Sequence, residues 1–498
     1  MLAWTIYLSF LGALAVLLLP AGAVRGARIV ALLTAGNGLA LAVSEALQFK
    51  PGPEIHTLVH VPWVHSLGLD YHLAFDGISL TLVLLTGISA VVGVLFSWNV
   101  EKRAKEFFAL YLTLIGAVYG VFLSFDLFLL FVFYEIAIVP KYFLIAIWGS
   151  TRREYGAMKL ALYSFFGSAL VLIGLVAAYS VSGGHSTDLV TLAAHTFAPE
   201  FQRWAFPVVF IGFAVLAGLW PFHTWAPTGH VAAPTPASML LAGVIMKLGA
   251  YGAFRVGLIL FPAGAQMWQG AIGALAAIGI VYGASVALVQ KDFKFVIGYS
   301  SVSHMGFVML GLMTLNSKGL GGAVLQMFSH GIIASLLFGV VGRMIYDRTH
   351  TRELSLLEGM RLSRTMPFAA VTFVVAAFAS MGMPGFSGFV AELQVLAGSW
   401  AAFPKLTLLA GVGVVIGVAF TLRAMQMAFF SEASATPAHA HDDAAHPMEP
   451  ITVPERMGAV LLMGLAVLIG LWPSLLLDWI LPSFDSPLFA GLRKGGFH

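Results

Sequence analysis

Apolar runs of about twenty residues recur from one end of this 498-residue chain to the other. In a helix, a run of that length at about 1.5 Å per residue crosses a hydrocarbon core roughly 30 Å thick. The chain is 59% hydrophobic and 10% charged, with a mean hydropathy of +0.91, which exceeds any soluble composition. A β-barrel would instead show alternating segments of about ten residues. The sequence therefore predicts an all-α polytopic membrane protein.

The apolar runs predict about fourteen transmembrane helices. The spans begin near Trp4, Ile29, Ile78, Phe108, Leu127, Gly156, Trp204, Ala237, Gly270, Phe295, Gly321, Met366, Leu406 and Met457. The first run has no basic leader or clear cleavage site, and another span follows it directly, so we interpret it as a retained helix and not a signal peptide.

Basic residues fall almost entirely on alternate connections between these spans. Those following odd-numbered spans hold Arg25, Arg28, Lys102, Arg103, Lys105, Arg152, Arg153, Lys291, Lys294, Arg348, Arg352, Arg361, Arg364 and Arg456. The other connections hold mainly Lys50, Arg203, Lys318 and Lys405. Because basic loops stay in the cytoplasm, both termini are predicted to be periplasmic, in a multi-pass protein of the inner (plasma) membrane. The net charge of +3 reflects these loops, and we expect no nucleic-acid partner.

Two spans are interrupted by proline and glycine. The seventh is followed by a segment holding Pro221, Pro227, Pro234 and Pro236, and the twelfth contains GMPGFSG from Gly382. Proline removes an amide donor and breaks a helix, which a bilayer tolerates only where protein or water satisfies the freed carbonyls. Broken helices 7 and 12 predict two inverted five-helix repeats around a hydrated path. The predicted units are 1–106 (spans 1–3), 107–258 (spans 4–8), 270–430 (spans 9–13) and 431–498 (a polar loop and span 14).

Several ionisable residues are predicted to lie near the middle of the membrane. Lys247 is ten residues into the eighth span, roughly 15 Å deep, and Glu135 lies nine residues past Asp126, roughly 13 Å deep. Glu392 follows the interruption in the twelfth span. Charges at that depth are costly and usually functional. Glu135, Lys247 and Glu392 are the predicted proton relay, with possible relay or gating roles for His304, His330, Lys294, His223 and His230.

Each of these residues also has a structural interpretation. A single buried histidine is more often a hydrogen-bonded interior residue than a relay, and only the combination with a buried acid and amine favours function. Lys141, Arg255, Arg343 and Arg423 lie near span ends, where we expect them to snorkel toward the interface or to cap helices. His439, His441 and His446, with two aspartates, could bind a metal, but a solvated surface loop is favoured and no metal site is predicted. Without cysteine, a thiolate-held iron–sulfur cluster is excluded, and no cofactor site is predicted.

Motifs across residues 70–430 identify a family. They are FDGISL from Phe75, FDLFLLFVFYEIAIVPKYFLIAIWG from Phe125, PFHTWAPTGHVAAPTPASMLLAGVIMKLGAYG from Pro221, KDFKFVIGYSSVSHMGFV from Lys291, QMFSHG from Gln326 and GMPGFSGFVAEL from Gly382. The chain resembles the antiporter-like membrane subunits of respiratory complex I. The resemblance implies fourteen helices, no bound redox group, other membrane-arm subunits as partners, and proton translocation driven by quinone reduction elsewhere in the complex.

The resemblance also assigns residues. It implies that Glu135 is the fifth-helix acid, Lys247 the central lysine of the eighth helix, and Glu392 the twelfth-helix acid that passes protons toward the periplasm. Family members typically carry a lysine seven residues before the histidine that matches His223, and here that position is Leu216. Glu135 therefore lacks its usual partner, for which Lys247 or Lys141 could substitute.

Three functions are consistent with the sequence. The leading prediction is a non-redox, proton-translocating subunit of an NADH–quinone oxidoreductase that is not catalytic alone. The first alternative is an Mrp-type cation/proton antiporter subunit, or the membrane subunit of a related hydrogenase or inorganic-carbon pump. The second, which rests on Leu216, is a non-pumping spacer of the membrane arm.

Overall fold

A computed structural model describes residues 1–20, 22–431 and 449–494. Its main helices are Ala3–Leu18, Val24–Gln48, Gly77–Phe96, Ala104–Leu123, Leu127–Trp148, Arg153–Val181, Leu189–Ala194, Pro199–Ala217, Trp225–Ala232, Thr235–Leu258, Pro262–Val289, Phe293–Met313, Ser317–Thr349, Pro367–Ser380, Ser387–Ala402, Pro404–Phe430, Val453–Leu471 and Ser474–Ser483. The histidine-rich loop that contains His439, His441 and His446 lies outside the described residues.

Twelve helices in the described part of the chain are long and apolar enough to cross a membrane. A bent pair near the C-terminus, Ser474–Ser483 with Pro487–Lys494, would make a thirteenth. The apolar helices Ala3–Leu18 and Pro367–Ser380 are shorter. The polytopic helical class is thus confirmed, whereas the count of fourteen stays a prediction.

A β-hairpin stands in the connection between the helices Val24–Gln48 and Gly77–Phe96. Strands His56–Val64 and Leu69–Phe75 pair antiparallel, with His60 opposite His72. The segment is rich in valine, histidine and aromatic residues that favour strands, and Gly68 makes the turn with a left-handed φ of 61°. The departure from an all-helical chain is confined to this hairpin and a few isolated bridges within the described residues.

Both Pro/Gly segments separate helices in the structure. Helix Pro199–Ala217 ends at Gly218, whose φ of 82° is the left-handed conformation that often closes a helix, and the next helix begins at Trp225. Helix Pro367–Ser380 is separated from Ser387–Ala402 by a turn that contains Gly382, with a φ of 69°. Carbonyls and amides near these turns are freed from regular helical bonding.

Two helices lie at the centre of the molecule. Thr235–Leu258, which we call the Lys247 helix, is buried along its whole length, and so is most of Ser317–Thr349, which we call the His330 helix. Their backbones approach closely at Gly243 and Gly331, since a Cβ on Gly331 would stand 2.7 Å from the Gly243 carbonyl oxygen. Small residues at a helix crossing permit such an approach, which brings the polar side chains of both helices within bonding distance.

Candidate functional site

Lys247 and His330 form a direct hydrogen bond in the buried centre. The Lys247 Nζ lies 2.7 Å from His330 Nδ1 and also donates to the carbonyl oxygen of Ala242. Ala242 belongs to a π-helical turn, Leu241–Ile245, which ends just before Lys247. Such turns are frequent at functional sites because they disturb regular backbone pairing. Lys247 is fully buried and His330 is 3% exposed.

A second pair lies beside the first. His304 Nδ1 is 3.0 Å from Glu392 Oε1, and His304 Nε2 is 3.1 Å from the Ser380 hydroxyl. The rings of His304 and His330 are adjacent, with centroids 5.4 Å apart. The structure therefore brings four predicted residues close together in one line: Lys247 bonded to His330, and, beside that pair, His304 next to Glu392.

Glu392 reaches the turn between the helices Pro367–Ser380 and Ser387–Ala402. An ideal Cβ placed on Gly382 would stand 2.9 Å from Glu392 Oε2. A side chain at Gly382 would thus crowd the carboxylate, and its positive φ also favours glycine. This end of the line therefore meets the interruption between Ser380 and Ser387.

Lys294 and His230 lie near each other, and His230 is also within electrostatic range of Lys247. Lys294 Nζ donates to the carbonyl oxygen of Ala233, 3.3 Å away, and His230 packs against Phe338 with ring centroids 5.1 Å apart. Both residues are buried, and neither His230 ring nitrogen has a hydrogen-bond partner within residues 1–20, 22–431 and 449–494. They are not joined to Lys247 by a direct hydrogen bond among the described residues.

His223 stands apart from this line. Its ring packs against Tyr282 and Tyr299, with centroids 5.0 and 6.3 Å away. Neither ring nitrogen has a hydrogen-bond partner in the part of the chain that the structure describes. It occupies the turn between the helices Pro199–Ala217 and Trp225–Ala232.

Glu135 is isolated from the central line and lies near one amine. The Ser168 hydroxyl lies beside its carboxylate, and Lys141 is the cation that interacts with it electrostatically. The Lys141 amine has no hydrogen-bond partner and stands beyond 4.0 Å from the Glu135 oxygens, within the part of the chain described. Helix Leu127–Trp148 is interrupted between them at Ala137, and Pro140 precedes Lys141.

The expectation that Lys141 and Arg255 snorkel to the interface is wrong. Lys141 is 1% exposed and Arg255 is fully buried, because neighbouring helices enclose both side chains. Arg255 pairs with Asp76 across a 2.7 Å Nη2–Oδ1 contact. Arg423 does cap a helix, since its Nη1 donates to the Leu288 and Gln290 carbonyls at the end of Pro262–Val289.

Sequence reasoning missed the polar partners of His304. The Ser380 hydroxyl bonds its Nε2, and Gln326 Nε2 lies 3.4 Å from its Nδ1. One signal was available for Gln326, which precedes His330 by four residues and so shares its helix face. Ser380 had none, since serine is common in apolar helices.

Comparisons with known proteins show the family to which the chain is similar. Residues 124–418 match the family described as "NADH:quinone oxidoreductase/Mrp antiporter, TM". The chain is 38% identical over 434 residues to NADH-quinone oxidoreductase subunit M of Rhodobacter capsulatus, covering 84% of this chain and 82% of the relative. It is also 38% identical over 421 residues to NAD(P)H-quinone oxidoreductase chain 4 1 of Synechococcus sp. (strain JA-3-3Ab), covering 83% and 78%.

Two solved structures share the fold. A chain of respiratory complex I from Thermus thermophilus matches with a TM-score of 0.87 and 28% identity, covering 98% of this chain and 100% of that one. A chain of the Mrp complex from Dietzia sp. DQ12-45-1b matches with a TM-score of 0.85 and 21% identity, covering 99% and 98%.

Proposed function

The chain belongs to the NADH:quinone oxidoreductase/Mrp antiporter family, as its motifs predicted, and on that premise we propose that it moves protons in an NADH–quinone oxidoreductase. In this proposal it is a non-redox membrane-arm subunit that binds no redox group and is not catalytic alone. The observation that carries the proposal is the line of titratable groups from Lys247 to Glu392. Its partners are other membrane-arm subunits, the lipid bilayer and protons.

The proton moves along this line in three steps. The Lys247 ammonium gives a proton to His330 Nδ1 across their 2.7 Å contact, leaving a neutral amine and an imidazolium. His330 passes a proton to the neighbouring His304 through ring reorientation or one bridging water, since the rings lie side by side. His304 Nδ1 then donates to Glu392 Oε1, 3.0 Å away. Glu392 releases the proton at the break beside Gly382, and a new proton restores the Lys247 ammonium.

Glu135 and Lys141 serve the first half of the subunit. Lys141 is buried and Glu135 is partly buried, and each has a side-chain atom without a hydrogen-bond partner among the described residues. A lone charge at the bilayer centre costs at least about 2.5 kcal/mol. Opposite charges that share one helix relieve that cost for each other. We propose that Lys141 supplies the cation that Leu216 does not, with Ser168 holding the carboxylate. His223, His230 and Lys294 would connect this half to Lys247 through water.

The proposed architecture has fourteen spans with two inverted five-helix repeats, 107–258 and 270–430, and broken helices 7 and 12. Residues 1–106 and 431–498 flank the repeats, and both termini face the periplasm. Under this scheme the two helices on either side of Gly218 count together as one broken span. The two helices on either side of Gly382 count together as the other.

The non-pumping spacer is the competing function. It is favoured by the apolar Leu216, which is 2% exposed, and by the lack of a cation within 4.0 Å of Glu135 among the described residues. The Mrp-type antiporter is favoured only by likeness of fold.

Replacement of Lys247 tests the proposal. In inverted membrane vesicles that hold the assembled complex, Lys247→Ala is expected to lower NADH-driven proton pumping at least tenfold, because the line then lacks its central proton carrier. Lys405→Ala is the matched control, since that lysine is exposed at a helix start. Subunit abundance is measured in the same vesicles. Normal pumping by an assembled Lys247→Ala variant would rule out the relay.

A further inference from the structure

The β-hairpin and the segment around Asp188 form a cluster of metal-ligating side chains away from the proposed proton line. One nitrogen from each of His60 and His72 and one oxygen of Asp188 lie within 4.8 Å of one another. His60 and His72 are cross-strand neighbours whose rings stack with centroids 4.2 Å apart. An isolated bridge joins Asp188 to Asp126, and Asp126 in turn accepts a hydrogen bond from the amide of Asp70 in the hairpin.

The charges around the cluster favour a cation. Asp70 accepts from His60 at 3.0 Å, Asp188 lies 2.6 Å from His72 Nδ1, and Asp126 approaches the hairpin through the amide of Asp70. None of these three carboxylates has a lysine or arginine within 4.0 Å among the described residues. Three carboxylates therefore lie close to two imidazoles, without a nearby lysine or arginine among the described residues to neutralise them.

The buried histidine is also incompletely satisfied. His72 is 5% exposed, and its Nε2 has no hydrogen-bond partner among the described residues. Its Nδ1 lies against Asp188, so the imidazole and the carboxylate already form a close pair that a cation can join. His60 differs because its side chain is 46% exposed, so an ion can enter from solvent on that side.

We propose that His60, His72 and Asp188 bind a divalent transition-metal ion, Zn²⁺ or Cu²⁺. Two imidazoles and one carboxylate are donors that suit these ions. Zinc–ligand bonds of about 2.0–2.1 Å place tetrahedral ligands roughly 3.3 Å apart. An ion that enters between His72 and Asp188 therefore moves the two atoms of their 2.6 Å contact slightly apart, while the His60 nitrogen moves inward. His60, being exposed, rotates out of its stack to meet the ion, and solvent water fills the open position. The ion would fasten the hairpin to the Asp188 segment.

Copper titration of the full-length chain in detergent tests the site. The chain is first stripped of metal, and His439, His441 and His446 are replaced by Gln so that their loop does not contribute. Cu²⁺ is expected to bind with a one-to-one stoichiometry and an electron paramagnetic resonance spectrum split by two nitrogens, and Zn²⁺ should displace it. His60→Gln should leave a spectrum split by one nitrogen and weaken Cu²⁺ binding at least tenfold. His65 is an exposed histidine of the same hairpin, and His65→Gln should change neither the spectrum nor the affinity.

Two outcomes of the copper titration would overturn the proposal. One is equal Cu²⁺ affinity in the His60→Gln and His65→Gln chains. The other is a spectrum of the chain with intact His60 and His72 that lacks splitting by two nitrogens. A second measurement needs no substitution in the hairpin: saturating Zn²⁺ should protect His60, and not His65, from carbethoxylation by diethyl pyrocarbonate, as read by mass spectrometry. An unprotected His60 would contradict the site. The proposal is independent of proton pumping.

Discussion

Lys141→Met is the substitution that distinguishes a subunit whose first half takes part in proton pumping from a non-pumping spacer. It removes the cation nearest Glu135 and leaves an apolar side chain of similar length in the same enclosed position. The two charges stand beyond 4.0 Å, so their attraction at an effective dielectric constant of about 20 is at most about 4 kcal/mol, falling to about 2 kcal/mol at twice that separation. If ionised Glu135 takes part in pumping, loss of that attraction lowers the population of the ionised form of Glu135 by about 30- to 1,000-fold.

The assay compares two rates in inverted vesicles that contain the assembled complex. Proton uptake is followed by quenching of an acridine dye, and NADH oxidation is measured in parallel. Lys141→Met is expected to reduce the number of protons moved per NADH, or to slow both rates together if the subunits are tightly coupled. Complex abundance on native gels separates this effect from failed assembly.

A second variant relocates the amine. Phe213 contacts Tyr134 with ring centroids 5.5 Å apart, and Leu216 follows Phe213 by about one helical turn. Leu216 therefore shares the helix face that packs near Tyr134, the residue that precedes Glu135. Leu216→Lys in the Lys141→Met chain should restore pumping, and Leu216→Met in the same background should not. Full pumping by Lys141→Met alone, with unchanged protons per NADH, would refute the argument and favour the spacer.

Two further predictions concern the buried ion pair and the topology. Arg255→Met should lower the free energy of unfolding, measured with denaturant in detergent, by about 3–5 kcal/mol, because it leaves Asp76 buried and unpaired. Asp76→Asn in the same chain should recover most of that loss. A loss below about 1 kcal/mol would show that the pair is solvated. Reporter fusions after Lys105 and Lys318 should report cytoplasm and periplasm respectively, since the basic loops alternate; cytoplasmic reporter activity at Lys318 would reverse the proposed orientation.

The sequence alone determined the class, the family and the position of each charge along its helix. Depth is linear in residue number, at about 1.5 Å per residue, so Lys247, His304 and His330 could be assigned to one level before any contact was known. The motifs carried the family because they specify particular residues and spacings. The hairpin could have been suspected from its strand-forming residues, but its register depends on contacts with Asp126 and Asp188, more than 50 residues away.

Only the tertiary structure decided which charges meet. Contact depends on the angle at which each side chain leaves its helix and on how closely two helices pack, and neither quantity is local in sequence. Gly243 and Gly331 let the two central helices approach until Lys247 bonds His330, whereas Glu135, at a similar predicted depth, faces Ser168 and Lys141 instead. Packing likewise buried Lys141 and Arg255, which their positions near span ends had assigned to the interface. The depth of a residue follows from its position in one helix, whereas a proton path requires contacts between side chains of several helices.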